Sequence, residues 1–249
     1  MSKQSDFLIE NDVVTGYRGA GGDVKIPTGV MGVGENAFWG CRELTGVTIP
    51  AGVETIGTGA FSNCRGLKTV VLPDGLKRIG RSAFSHCDAL TGVTIPGSVT
   101  EIGESAFYGC RGLADKDGFI VIRGVLYGYH GKGGGVKIPD GVRRIGANAF
   151  FLNRSLTAVE IPESVTEIDE SAFCGCRGLA DKDGFVIIRG TLYSYHGPGG
   201  DVHAPDIVRK ISKMALCDCD GTVTITLPGG SVAAVRQVPV DRPDPDEEY

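Results

Sequence analysis

Apolar residues recur along this chain at a fixed interval of 23 residues. Val24, Val47, Val70, Val93, Val136, Val159, Val202 and Ile225 form one column. Two residues later Ile26, Ile49, Leu72, Ile95, Ile138, Ile161, Ala204 and Leu227 form a second. Residues two apart on a strand share a face, so the two columns predict one short inward-facing strand per repeat. A proline follows each time, from Pro27 to Pro228, and ends the strand because it has no N–H to give a ladder. The alternate face carries Lys25, Thr48, Val71, Thr94, Lys137, Glu160, His203 and Thr226, a mixed set suited to an extended partner lying close to the backbone.

The rest of each repeat is equally regular. Val30, Val53, Leu76, Val99, Val142, Val165 and Val208 are followed three residues on by Val33, Ile56, Ile79, Ile102, Ile145, Ile168 and Ile211, which predict a second inner wall. An Ala-Phe pair comes next (Ala-Leu in the last copy), then Cys41, Cys64, Cys87, Cys110, Asn153, Cys176 or Cys219, and then a leucine in all but the last copy. Ala allows close backbone approach while Phe fills the middle, which suits a compact turn or short 3₁₀ piece. A fixed period of this size signals a solenoid, in which no single repeat folds alone. The eight Val/Ile positions heading the strands are expected to stack in one sheet.

Three stretches interrupt the period. Phe7 to Tyr17 reads as a β-hairpin around Asn11-Asp12. Insertions of about 20 residues near 114–133 and 180–198 are near-duplicates of each other and match that hairpin in register, with Tyr17, Tyr129 and Tyr195 equivalent. The expected organisation is an N-terminal hairpin or cap over 1–23, a solenoid over 24–228 and a C-terminal cap over 229–249. The cap ends in an acidic, proline-rich tail of disordered composition.

The spacing in Leu44-Thr45-Gly46-Val47-Thr48-Ile49, with cysteine at a turn position, resembles the bacterial leucine-rich repeat class of the BspA-like and Treponema pallidum type. The resemblance implies an α/β-type, mostly β solenoid. It would be a right-handed coil of about seven to eight 23-residue rungs, with short parallel strands, 3₁₀ or turn segments and three β-hairpin decorations. It also implies a non-catalytic protein-binding module, cell-surface or secreted and adhesin-like, with a protein partner. The alternatives are a spacer segment of a larger surface protein or, less favoured, a thiol or metal protein or an enzyme.

Composition adds limits. A 41% apolar share and a net charge of −5 fit a folded protein and argue against a nucleic-acid binder. No run of 18 apolar residues spans a membrane. The opening Met1 to Asp6 lacks a signal-peptide core, so the expectation is either a cytoplasmic protein or one whose leader is missing from this sequence.

Candidate chemistry sits in three columns. Arg42, Arg65, Asp88, Arg111, Arg154, Arg177 and Asp220 follow the cysteine position; stacked like charges are unfavourable unless paired, by aspartates such as Asp115 and Asp181 or by an anionic partner. Trp39, Tyr108 and Phe151 stand after the repeated Phe, as interface anchors or as packing beneath the hairpins. Lys137, Glu160 and His203 represent the outer strand face. The column Thr55, Arg78, Glu101, Arg144, Glu167, Lys210 alternates in sign and predicts cross-rung ion pairs. The cysteine column reads as small, inward, weakly hydrogen-bonding groups. Cys174-Gly175-Cys176 with Cys217-Asp218-Cys219 invites a zinc reading, but residues two apart face different sides, so four thiolates would not converge. His86, His130, His196 and His203 fall on different columns, and no catalytic group, metal or cofactor is expected.

Overall fold

The structure is a computed structural model that describes residues 6–217, 219 and 222–236. The expected tail, Asp220 and part of the Cys217-Asp218-Cys219 motif lie outside the described residues. The chain forms two compact units. One runs through Gly131 and includes Arg143–Ala149; the other holds Lys132–Val142 and continues from Phe150.

Both units are mostly β, and among the described residues the chain carries no α-helix. The 3₁₀ turns that lie wholly within the described residues are Arg111–Leu113 and Arg177–Leu179. In the first unit the strands Gly22–Lys25, Leu44–Thr48 and Thr69–Val71 pair in parallel, aligning Val24 with Val47 and Val47 with Val70. The 23-residue register is therefore the hydrogen-bond register. The second wall is a parallel run in which Val14, on the strand Val13–Tyr17, is followed by Val33, Ile56, Ile79 and Ile102 on two-residue strands. In the second unit Val136 aligns with Val159, and Val202 with Ile225.

The strand-heading residues do not share one sheet, contrary to expectation; seven are distributed over three sheets, and Val93 lies outside any strand, beside the isolated bridge of Gly92 to Thr69. In the second unit the break falls where the inserted residues follow Leu179. The inserted hairpin Phe185–Ile188 and Thr191–Tyr195 pairs with Lys210–Ile211 and occupies the room between successive turns. Leu156–Glu160 and Gly200–His203 are thereby kept from pairing.

The three hairpins are present, and their second strands do more than decorate. Val13–Tyr17 pairs with Gly32–Val33, and Val125–Tyr129 with Arg144–Ile145. Thr191–Tyr195 pairs with Lys210–Ile211. Val14, Leu126 and Leu192 are fully buried, as members of the second wall. The turns follow from local chemistry. Asn11-Asp12, Arg123-Gly124 and Arg189-Gly190 all take positive φ, as a two-residue hairpin turn requires. Val232–Arg236 adds an antiparallel strand to the edge of Val223–Thr226 and closes it.

Between the walls each repeat turns a corner, and this corner is also hydrogen-bonded from rung to rung. The N–H groups of Phe38, Phe61 and Phe84 donate to the carbonyls of Ala60, Ala83 and Ala106. Left-handed residues bracket the Ala-Phe pair: Asn36, Gly59, Ser82 and Ser105 before it, Gly40, Asn63, His86 and Gly109 after it. Asn and Gly suit that backbone, whereas Leu152 at φ 54° in the second unit pays a steric cost. The rings of Phe38, Phe61, Phe84 and Phe107 stack at centroid spacings of 4.9, 5.3 and 5.5 Å, close to the spacing of neighbouring strands. Tyr17 stacks on Phe38 at 5.0 Å at one end, and Tyr127 meets Phe107 edge-on at 5.5 Å at the other.

Candidate partner-binding surfaces

The cysteine column is structural. The thiols of Cys64, Cys87, Cys110 and Cys176 donate to the carbonyls of Phe38, Phe61, Phe84 and Phe150, one rung back, at 2.9–3.2 Å. Burial pushes the Cys64 and Cys176 thiols up to about 12, and a hydrogen bond with Cys110 together with burial raises Cys87. Cys64, Cys87 and Cys176 are therefore not thiolate nucleophiles near neutral pH. Cys174 and Cys217 form a disulfide that the columns do not foretell, with Cα atoms 6.9 Å apart. Lying two residues before the inward column turns both away from it, and they meet each other. Among the described residues no group of three His, Cys, Asp or Glu side chains gathers as a metal site.

The strand-face candidates separate. Lys137 and Glu160 pair at 2.9 Å, and that hydrogen bond raises the Lys137 pKa. Much of their charge is spent on each other. The outer wall likewise pairs Arg78 with Glu101 at 3.2 Å, as the alternating signs predict, while Lys210 goes to Glu170 at 3.3 Å.

The corner flank is different. Trp39 is 62% exposed, three residues before the exposed Arg42. Tyr108 is half-buried, its ring edge-on to His86 at 5.2 Å, and Phe151 is half-buried in the second unit. Arg65 reaches Asp88 only at 3.9 Å. Arg111 and Arg177 open the two 3₁₀ turns, and they and Arg154 are exposed.

His86 takes a left-handed corner position, and His130 leaves the hairpin that follows Arg111, its N–H donating to the Gly118 carbonyl. His130 is exposed as a residue, and partial desolvation of its ring lowers its pKa, with Arg111 lowering it further, Asp88 opposing and His86 adding to the lowering. Burial also lowers His86, where Asp88 opposes and Arg65 and Arg111 reinforce. A sequence signal existed: His86 occupies a column in which the other repeats of the first unit carry Gly40, Asn63 and Gly109.

The second unit contains a cleft of about 880 Å³ lined by Arg177, Asp181, Lys182, His196 and His203 among others. Asp181 is committed to its own turn, its carboxylate accepting the N–H groups of Asp183 and Phe185 at 3.0 and 2.9 Å. Asp183 lies 3.8 Å from Lys182. The cleft is thus lined by guanidinium and ammonium groups and by the exposed His203, while both ring nitrogens of His196 are buried and Asp181 and Asp183 are engaged locally.

The remaining missed residues are the hairpin-tip arginines. Arg123 donates to the Val99 and Pro96 carbonyls at 2.6 Å each, and Arg189 to those of Val165 and Pro162. The proline turns leave these carbonyls outside any ladder. The first hairpin has Asn11-Asp12 at its tip instead.

A family model described as BspA type leucine rich repeat region matches residues 22–115 and 129–183 in six copies, more than half of the chain. Among solved structures the chain is similar to a Treponema pallidum leucine-rich repeat protein (29% identity, 72% of this chain and 91% of that one, TM-score 0.46). It is also similar to a leucine-rich cell surface protein of Faecalibacterium prausnitzii (25% identity, 89% and 68%, TM-score 0.45). A third is the pneumococcal vaccine antigen PcpA (20% identity, 82% and 62%, TM-score 0.46). A comparison with curated proteins finds no match.

Proposed function

Because the chain belongs to the BspA-type leucine-rich repeat family, we propose that it is a non-catalytic, adhesin-like module that holds a protein partner on its corner flank at the cell surface or outside the cell. The observation that carries this reading is the exposed pair Trp39 and Arg42, at the head of the flank on which Arg65 and Arg111 recur. Trp and Arg are the side chains most often found at the energetic centre of protein interfaces. Repeated guanidinium groups favour an acidic partner. The disulfide Cys174–Cys217 supports an oxidising compartment, because such bonds persist outside the cytosol.

The test is capture of purified extracellular proteins and of intact cells by the immobilised full chain. Trp39→Ala and Arg42→Glu each weaken capture at least about tenfold, while the Lys137→Ala and Glu160→Ala double substitution leaves it within about twofold. Capture unaffected by the flank substitutions overturns the reading.

A further inference from the structure

The N-terminal hairpin is the same element as the two inserted ones, but each inserted hairpin lies against the repeat before it. Tyr127 and Tyr193 meet Phe107 and Phe173 edge-on at 5.5 Å, and Arg123 and Arg189 reach carbonyls of the preceding proline turn. On the first strands of those hairpins Ile120 and Val186 are 0% and 1% exposed. Their equivalent Leu8 is 39% exposed. The strand Phe7–Glu10 is the edge of its sheet, and among the described residues no strand pairs with its far side. The last repeat ends in the complementary way. Lys210–Ile211 pairs with Thr191–Tyr195 on one side and forms the edge of its sheet on the other.

The rows of the second wall show which residues a hairpin set on that edge brings together. Glu10 opposes Val13, Val13 aligns with Gly32, and the row continues through Thr55, Arg78 and Glu101. In the second unit the same row runs from Ile188 through Thr191 to Lys210. One row away, the N–H of Met31 donates to the Asp12 carbonyl and that of Arg209 to the equivalent Gly190 carbonyl. A hairpin placed after the last repeat, in the register of the inserted ones, therefore sets Glu10 beside Lys210 and Asp12 beside Arg209. The charges are complementary. Glu10 and Asp12 are exposed. Lys210 and Lys213 share the single carboxylate of Glu170, and the Arg209 guanidinium donates to the Asp206 backbone carbonyl, so positive charge is in excess at this edge.

We propose that the N-terminal hairpin of one chain docks on the last repeat of a second copy, with Glu10 against Lys210, Asp12 against Arg209, and Leu8 covered as Ile120 and Val186 are within the chain. Unpaired strand edges are ready templates for such pairing, and opposite charges on neighbouring strands fix its register. Thr15 and Asn11 stand where the inserted hairpins carry their gripping tyrosine and arginine, so the contact between copies is weaker than the joint within a chain, and reversible. The two faces differ, so one contact leaves one of each unused, and association continues with concentration until a ring closes. This surface is separate from the corner flank proposed above to hold a partner.

The experiment is sedimentation velocity of the full chain from about 1 to 200 µM in about 50 mM salt, where charge pairs are weakly screened. The expected mass is that of one chain at the low end and at least about 1.5 times that at the high end. Leu8→Asp, at a position exposed in the single chain, weakens association at least about tenfold by placing a charge under the contact. Glu10→Lys and Lys210→Glu each weaken it at least about fivefold, and the two combined in one chain restore it to within about twofold. Lys210→Glu also removes a contact with Glu170, so the restoration is the deciding result, since a damaged last repeat does not recover. The mass of one chain throughout, association untouched by Leu8→Asp, or no restoration overturns the proposal. Sensitivity to Leu8→Asp without sensitivity to Lys210→Glu means that two N-terminal hairpins pair with each other, and overturns it as well. Trp39→Ala leaves association within about twofold, so this inference and the flank reading fail separately.

Discussion

The guanidinium of Arg123, at the tip of an inserted hairpin, donates to the carbonyl of Pro96 at 2.6 Å, a residue of the preceding proline turn. A second donor of the same group reaches Val99 at 2.6 Å. The insertion is locked to the repeat before it through backbone groups, and Arg189 repeats the arrangement on Val165 and Pro162.

Removing that lock leaves carbonyls with poorer partners. Arg123→Ala is expected to destabilise the first unit by about 1–3 kcal/mol, and Arg123→Lys to recover only part, because one ammonium cannot reproduce a two-pronged donor. Denaturant midpoints of the two variants provide the measurement.

The aromatic stack is the second target. Phe84 is fully buried with a ring on each side, Phe61 at 5.3 Å and Phe107 at 5.5 Å. Phe84→Ala is expected to cost about 3–5 kcal/mol. Trp39→Ala, at an exposed position, stays within about 0.5 kcal/mol, so the same unfolding experiment separates a packing residue from a contact residue.

The buried thiols couple stability to alkaline pH. Cys64 and Cys176 are pushed up to about 12 from an ordinary value of 9.0. In the unfolded chain they ionise first, so their contribution is complete below pH 9 and is lost as pH rises from 9 to 12. A Cys64→Ala, Cys176→Ala variant should lose stability less steeply over that window than the native chain. Thiol labelling at pH 8 should reach these two cysteines only on unfolding.

The disulfide spans 43 residues, the length of one repeat plus one insertion. Cys174→Ser with Cys217→Ser should lower the stability of the second unit by about 2–4 kcal/mol through the unfolded-chain entropy it releases. Hydrogen exchange should show faster opening around Thr191–Tyr195 and little change in the first unit.

Leu152 holds φ at 54° in a column where Gly109 and Gly175 stand at equivalent places. Leu152→Gly should relieve backbone strain and raise the unfolding midpoint modestly, by about 1 kcal/mol or less.

Much of this molecule can be read from spacing. A residue repeated every 23 positions must meet its copy when the chain coils, so the Val24–Val47–Val70 alignment and the Phe38–Phe107 stack follow from the columns. The sign alternation gave Arg78 with Glu101 for the same reason. What the columns miss depends on residues outside the period. Arg123 and Arg189 belong to insertions, so no repeat position marks them. Within the second unit the wall divides into two sheets because the inserted hairpin pairs with Lys210–Ile211 between the two repeats.

The sequence by itself determined the repeating coil: which side chains are buried, where strands stop, and where three hairpins form. Those outcomes depend on local backbone preference and on burial at a constant interval, both written in residue order. Only the tertiary structure decided which groups from different periods share a neighbourhood: Cys174 with Cys217, Arg123 with Pro96, Arg189 with Val165. Such pairings depend on how an insertion folds back onto the rungs beside it, a through-space relation that an interval along the chain does not encode.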